Sequence, residues 1–212
     1  MVERLVKQIN PVKLFLDEIP KNYLKVKLQP KVIRIRKALK DPFTFPTLHF
    51  LQFVLKNFHK YEKLFQRKEL TIHLLYDKQV CLFRGMLIYF CVFSKIKPLK
   101  SSVERVKFEY NNIDNIKPLH EISIGIKAKE LISHFSKQDK VLFLTGMKRF
   151  FIKICDGMLS KLSLNNTFLS NLGFLNPKNI TQKGLKMVTY IAKSISPVMK
   201  LSTEDLDTLS IK

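Results

Sequence analysis

Apolar residues recur at intervals of three and four along most of the chain, and this spacing limits the fold more than any other feature. The two clearest runs are Leu51, Val54, Phe58, Tyr61 and Phe65, and Leu144, Met147, Phe151, Ile154 and Met158. Because an α-helix has about 3.6 residues per turn, this spacing gathers apolar side chains on one helical face. The sequence therefore predicts a mainly α fold, built as a helical bundle.

The most apolar segment covers residues 80–93 and includes Arg84. It is shorter than the roughly 20 residues that a membrane span needs, and it is apolar on most sides. We therefore expect a buried helix at the centre of the bundle, a soluble protein and no membrane partner. Cys81 and Cys91 lie in this segment, and we expect both to pack as small hydrophobic side chains.

Residues 96–126 interrupt the helical spacing with prolines and asparagines. Val106, Phe108 and Tyr110 alternate with polar residues, so we expect at most one short strand element, at these residues. The predicted organisation is a single, mostly helical region, 1–212. Its parts are a first helical half (1–95), a loop-rich connection (96–126), a second helical half (127–200) and an acidic tail (201–212).

Prolines and one threonine suggest where individual helices begin and end. We expect Pro11 to disturb a first amphipathic helix and Pro197 to close the last one, because proline removes a helical hydrogen bond. Thr181 is a candidate cap for that last helix. Between Pro30 and Pro42, the spacing of Val32, Ile35 and Leu39 predicts one helix with these three side chains on its buried face.

The chain is strongly basic, with 38 Lys and Arg residues, 17 Asp and Glu residues and a net charge of +21. This excess favours polyanionic partners, with nucleic acid ahead of anionic membrane. The densest cluster contains no acid and consists of Lys31, Arg34, Arg36, Lys37 and Lys40. We predict that it contacts nucleic-acid phosphates, although lysine is also a common solvent-facing residue on helices. Two further clusters are Lys95, Lys97, Lys100, Arg105 and Lys107, and Lys148, Arg149 and Lys153.

The sequence contains no motif of a known catalytic or cofactor site. Its six glycines are isolated, which excludes a P-loop and a Rossmann turn, and no Gly-x-Ser-x-Gly is present. The three cysteines lack paired spacing, which argues against both a zinc motif and a disulfide framework. We expect no catalytic residues, no metal, no cofactor and no small-molecule substrate.

Several segments, in chain order, resemble the hAT superfamily of transposases. They are residues 2–15, 47–58, 61–77, 122–126 and 162–177. The last segment, LSLNNTFLSNLGFLNP, is similar to a family pattern in which proline usually stands at the position of Ser163 and aspartate often at that of Asn176. The resemblance is made mostly of hydrophobic spacing and covers nearly the whole chain.

The resemblance implies a ribonuclease H-like transposase domain with a large helical insertion. Members of the family cut and join DNA with three acidic residues and divalent metal ions, and they carry a zinc finger and a dimerisation segment. This chain matches the insertion and its flanks, and the first two catalytic aspartates are expected upstream of Met1. Glu204 lies near the expected third position, but no motif aligns it. The family also implies a nuclear protein.

These observations leave three hypotheses. The first is a truncated or domesticated hAT-like transposase fragment that is catalytically inactive and retains contact with DNA or a dimerisation partner. The second is a stand-alone basic nucleic-acid-binding helical module, whose binding would weaken steeply with salt. The third is a helical protein-interaction scaffold, which would expose an apolar surface.

Overall fold

The structure, a computed structural model, describes residues 2–18, 30–66, 72–99, 102–175 and 180–199. Helices make up most of this part of the chain, which confirms the predicted mainly α fold. The α-helices are α1 (Val2–Glu18), α2 (Pro30–Lys40), α3 (Thr44–Phe65), α4 (Ile72–Phe90), α5 (Phe93–Ile96), α6 (Ser102–Val106), α7 (Ile126–Ser133), α8 (Lys137–Lys161), α9 (Thr167–Asn171) and α10 (Ile180–Met199). Short 3₁₀ turns cover Ile113–Asn115, Leu119–Glu121 and Leu172–Leu175. The acidic tail, 201–212, lies outside the described residues.

Within the described ranges no strand forms, and the single β-type pairing is an isolated bridge between Cys91 and Ile116. The sequence allowed at most one short strand, around Val106, Phe108 and Tyr110, and none forms there. Val106 ends α6, and the amide of Tyr110 donates to the carbonyl of Phe108 in a turn. The alternation reflects aromatic packing, because the Tyr110 ring is buried edge-on to Phe83.

Two helices continue through prolines that were expected to disturb or end them. Pro11 lies inside α1 and Pro197 inside α10. Both prolines are exposed, so water can satisfy the carbonyl groups that lose a helical donor. α10 begins at Ile180, one residue before the predicted cap Thr181, whose side chain lies outside the described part of the structure.

The chain divides into two compact units. Unit 1 contains Met1–His59 and Pro118–Arg149, and unit 2 contains Lys60–Lys117 and Phe150–Lys212. Each unit combines a segment from the first half of the chain with one from the second half. The unit boundaries fall inside α3 and α8.

Unit 1 is held by an apolar seam between α1 and α2 and by a group of phenylalanine rings. Ile9 of α1 and Leu39 of α2 are buried together, with Val32, Phe45 and Leu48 packed against them. Phe43 lies nearly parallel to Phe143, with ring centroids 6.2 Å apart, and meets the edge of Phe135 at 5.4 Å. These contacts join the segment before α3 to α8 and to the turn that precedes it.

Gly125 connects the middle of the chain to α7 in a conformation that disfavours other residues. Its φ is +86°, and a Cβ added there would lie 2.9 Å from the Cβ of Phe53. We expect Gly125→Ala to lower the free energy of unfolding by about 2 kcal/mol or more, because a non-glycine residue is strained at this φ and also meets Phe53.

Chemical denaturation checks this prediction, with Gly146→Ala as the matched control in the same unit. Gly146 lies in the middle of α8, and nothing stands within 4 Å of an added Cβ. The control should raise the free energy of unfolding by up to about 1 kcal/mol, since alanine favours a helix over glycine. Equal effects of the two substitutions would contradict the strain assigned to Gly125.

The core of unit 2 is centred on two stacked phenylalanine rings. Phe90 of α4 and Phe151 of α8 are parallel within 2°, and their centroids are 5.5 Å apart. Met86 and Leu87 are fully buried beside them on α4. The hydroxyl of Tyr110 donates a hydrogen bond of 2.6 Å to Oδ1 of Asp156 on α8. This bond connects α8 to the loop that precedes Ile116.

Three ionisable groups in this core have raised pKa values and therefore stay protonated at a higher pH than usual. Burial raises the pKa of Cys91 from 9.0 to about 12, opposed by the nearby Lys117 cation. Burial also raises the pKa of Cys155, and so do its neighbours Cys91 and Asp156. The pKa of Tyr110 is raised by burial and then by its hydrogen bond to Asp156.

The raised pKa values predict that unit 2 loses stability at alkaline pH. The folded state holds these protons more tightly than the unfolded state, so their contribution is complete below about pH 9 and is lost as the pH rises towards 12. We expect Cys155→Val to reduce the pH dependence of the unfolding free energy by about 1.4 kcal/mol per pH unit in this range. Denaturant titrations at a series of pH values measure it. Cys81→Ser changes an exposed cysteine and is the control, and an equal reduction in both variants would contradict the role of the buried thiol.

Candidate nucleic-acid interface

Four of the five predicted cations of α2 form one exposed row. Lys31, Arg34, Lys37 and Lys40 are exposed and follow one another at intervals of three residues. Residues three apart are neighbours on a helix surface, so each of these four side chains, here called the basic row, lies beside the next. Because three residues turn by about 300°, the row winds by about 60° at each step and spans about half of the circumference of α2 from Lys31 to Lys40. The row is about 14 Å long, from the helical rise of about 1.5 Å per residue.

The opposite side of α2 explains why the basic row faces outward. Leu39 is buried and Val32 is half-buried against α1, which fixes the orientation of the helix. Ile35, predicted to share their face, is instead 49% exposed, and that part of the prediction is wrong. Ile35 lies about 60° around the helix axis from Val32, at the edge of the buried face.

The electrostatic surroundings of the basic row leave its charges available. α2 contains no acidic residue, and Asp41, which follows it, accepts a hydrogen bond of 2.9 Å from the amide of Phe43. Within the described residues, none of the four side chains makes a hydrogen bond or an ion pair. Lys37 and Lys40 also lie in the last helical turn, where cations interact favourably with the negative end of the helix dipole.

Arg36, the fifth predicted residue, does not belong to the basic row. It is half-buried, and its Nε is a buried donor without a hydrogen-bond partner in the described part of the chain. It lies two positions after Arg34, about 160° away around the helix, but four positions before Lys40 and only about 40° from it. Partial burial, rather than angular position, therefore distinguishes Arg36 from the other four cations.

The members of the other two predicted basic clusters differ in their contacts or belong to different units. Lys95, Lys97 and Lys107 are exposed in unit 2, whereas Arg105 uses its Nε to donate to the carbonyl of Leu99 at 3.1 Å. Lys100 lies outside the described residues. Lys148 and Arg149 belong to unit 1 and Lys153 to unit 2, all on α8.

Two of the aspartates accept hydrogen bonds within the fold. Asp139 accepts from the hydroxyl of Ser136 at the start of α8, and Asp156 accepts from Tyr110. Among the described residues, no group of three or more His, Cys, Asp or Glu side chains could hold a metal ion. Glu204 lies outside them.

The cysteines and the apolar helices are only partly as predicted. Cys91 is buried with a raised pKa, as expected of a small hydrophobic side chain, whereas Cys81 is exposed. No helix in the described ranges is long and apolar enough to cross a membrane.

Sequence reasoning missed one surface feature of unit 1, the exposed pair Val141 and Leu142 of α8. The signal was available as four successive apolar residues, 141–144, which a single helical face cannot bury together.

No known protein family, curated protein or solved structure matches this chain. The resemblance to hAT transposases therefore stays a prediction, and the candidate interface rests on the geometry and charge of α2.

The separation of Arg36 from the basic row can be tested with Arg36→Met. We expect nucleic-acid affinity to change less than twofold, and the free energy of unfolding to stay the same or rise by about 1 kcal/mol, because an unsatisfied buried donor is removed. Fluorescence anisotropy with labelled DNA and chemical denaturation measure the two quantities. Arg34→Met is the comparison, and an equal loss of affinity in both variants would place Arg36 in the interface.

Proposed function

We propose that this chain is a non-catalytic helical protein related to hAT transposases, and that it contacts nucleic acid through the basic row of α2. The observation that supports the proposal best is the row itself, four exposed cations without an intervening acid and without a hydrogen bond or ion pair to the residues that the structure describes. The net charge of +21 adds a long-range attraction for polyanions.

The chemistry of the basic row favours phosphate contact over the reading of bases. Lysine and arginine bind phosphates from an exposed surface, and such contacts fix position without specifying sequence. The apolar neighbours Ile33 and Ile35 are exposed on α2 and offer no hydrogen bond to a base edge. We therefore expect binding that depends weakly on sequence and strongly on salt.

The proposal includes binding without cleavage. Metal-dependent cutting needs two or three carboxylates that converge on divalent ions. Asp139 and Asp156 instead accept hydrogen bonds from Ser136 and Tyr110, which gives each a structural task. Metal-dependent cleavage that disappeared with Glu204→Gln would contradict this part of the proposal.

Replacement of the basic row tests the function. In the variant Lys31→Gln, Arg34→Gln, Lys37→Gln and Lys40→Gln, we expect DNA affinity to fall at least tenfold near physiological salt. The slope of log affinity against log salt concentration should become shallower by up to about 3.6, since each of the four phosphate contacts contributes roughly 0.9. Fluorescence anisotropy with a labelled duplex, at several salt concentrations, measures both quantities.

A matched control separates a local surface from general charge. Lys95→Gln, Lys97→Gln, Lys127→Gln and Lys129→Gln remove the same four charges from exposed positions on α5, α7 and the residue that follows α5. This control should retain most of the affinity. If the two quadruple variants lost affinity equally, binding would follow the net charge and the basic row would have no special role.

A further inference from the structure

The part of α8 that belongs to unit 1 has a second apolar face, opposite its buried one. Phe143 and Leu144 are buried, whereas their neighbours Val141 and Leu142 are 54% and 63% exposed. The exposed pair lies in a shallow groove of about 540 Å³, and the lining residues that the structure describes are all on α8, between Lys137 and Arg149. This face is called the α8 groove below.

Gly146 has no side chain and therefore exposes the backbone of α8 in the same groove. It follows Leu142 by four residues, so it lies on the same side of the helix, and nothing stands within 4 Å of an added Cβ. A glycine without a neighbour in the middle of a long helix is unfavourable for the helix alone. It does allow another backbone to approach closely.

Cations lie at both ends of the groove. Lys137 comes one turn before Val141, and Arg149 comes one turn after Thr145. Neither makes a hydrogen bond or an ion pair in the part of the chain that the structure describes. The nearest acid on the helix, Asp139, accepts a hydrogen bond of 2.7 Å from Ser136 in the helix cap.

We propose that the α8 groove binds an acidic amphipathic helix of a partner protein. The apolar side of that helix would cover Val141 and Leu142, and its carboxylates would pair with Lys137 and Arg149. From Lys137 to Arg149 the groove extends about 18 Å, the length of a helix of about 12 residues. Helices that lie in apolar grooves with charged ends are a common mode of peptide recognition.

Charge also distinguishes this partner from two other occupants. A second copy of the chain, packed groove to groove, would bring like charges together at the ends in either orientation, on top of a net charge of +21 per copy. Nucleic acid would place the two apolar side chains against phosphates and sugars. Its negative charge is also not confined to two ends that would match Lys137 and Arg149. An acidic helix satisfies both the apolar centre and the cationic ends.

The test uses the full chain and a fluorescein-labelled, 18-residue helical peptide with a leucine stripe and glutamates at both ends. Anisotropy should report saturable binding in the micromolar range. The double variant Val141→Ser and Leu142→Ser should weaken binding at least tenfold. The control, Ile126→Ser and Leu131→Ser, changes two exposed apolar side chains of α7 in the same unit and should bind as well as the unaltered chain.

The charged ends are tested separately from the apolar centre. Lys137→Gln with Arg149→Gln should weaken binding and reduce its salt dependence more than the control Lys127→Gln with Lys129→Gln, which removes the same charge. A peptide with the same composition but a scrambled order should bind at least tenfold more weakly. Equal binding of the scrambled peptide would show attraction by net charge and overturn the proposal.

Two further measurements complete the test. Sedimentation should find a monomer, and dimers that disappear with the Val141→Ser and Leu142→Ser variant would overturn the proposal by assigning the groove to a second copy. The quadruple variant of the basic row should keep its peptide affinity, and the groove variant should keep its DNA affinity. If the groove variant lost DNA affinity instead of peptide affinity, the proposed partner would be wrong.

Discussion

Phenylalanine rings packed between helices hold each unit together against the mutual repulsion of a highly basic chain. In unit 2 the stacked pair Phe90 and Phe151 lies at the meeting of α4 and α8, and in unit 1 Phe43 joins Phe135 and Phe143. Apolar contact of this kind does not depend on charge, so cations can occupy the exposed faces without internal partners. The net charge of +21 thereby remains available for binding partners.

The long helices could be predicted from sequence because their apolar spacing persists over several turns. Val54 and Phe151 are both fully buried at positions that the spacing of three and four had marked. Periodicity identifies a helical face, but it does not say which neighbour covers that face. Ile35 shows this limit, since it fits the spacing of Val32 and Leu39 and still lies largely in solvent.

The failures of sequence reasoning have separate physical causes. An interior proline removes one helical hydrogen bond and crowds the preceding turn, but at the exposed Pro11 and Pro197 water can reach the freed carbonyl group and both helices continue. The alternation of Val106, Phe108 and Tyr110 allowed a short strand, but here it occurs in a turn that buries the Tyr110 ring. For the candidate interface, four of the five cations are exposed and Arg36 is half-buried. A helical projection of α2 places Arg36 about 40° from Val32, at the edge of the buried face, and would have predicted this partial burial from the sequence alone.

In the two proposals, the arrangement of cations around apolar residues determines which polyanion is expected at each surface of unit 1. Along α2, the basic row is continuous, and closely spaced cations match the dense, regular charge of a nucleic-acid backbone. In the α8 groove, Lys137 and Arg149 are about 18 Å apart, and Val141 and Leu142 separate them. A phosphate backbone gains little from that centre, because it has no apolar side to bury there. A helix with carboxylates only at its ends would gain from both parts, so under these proposals two surfaces of the same charge select different partners.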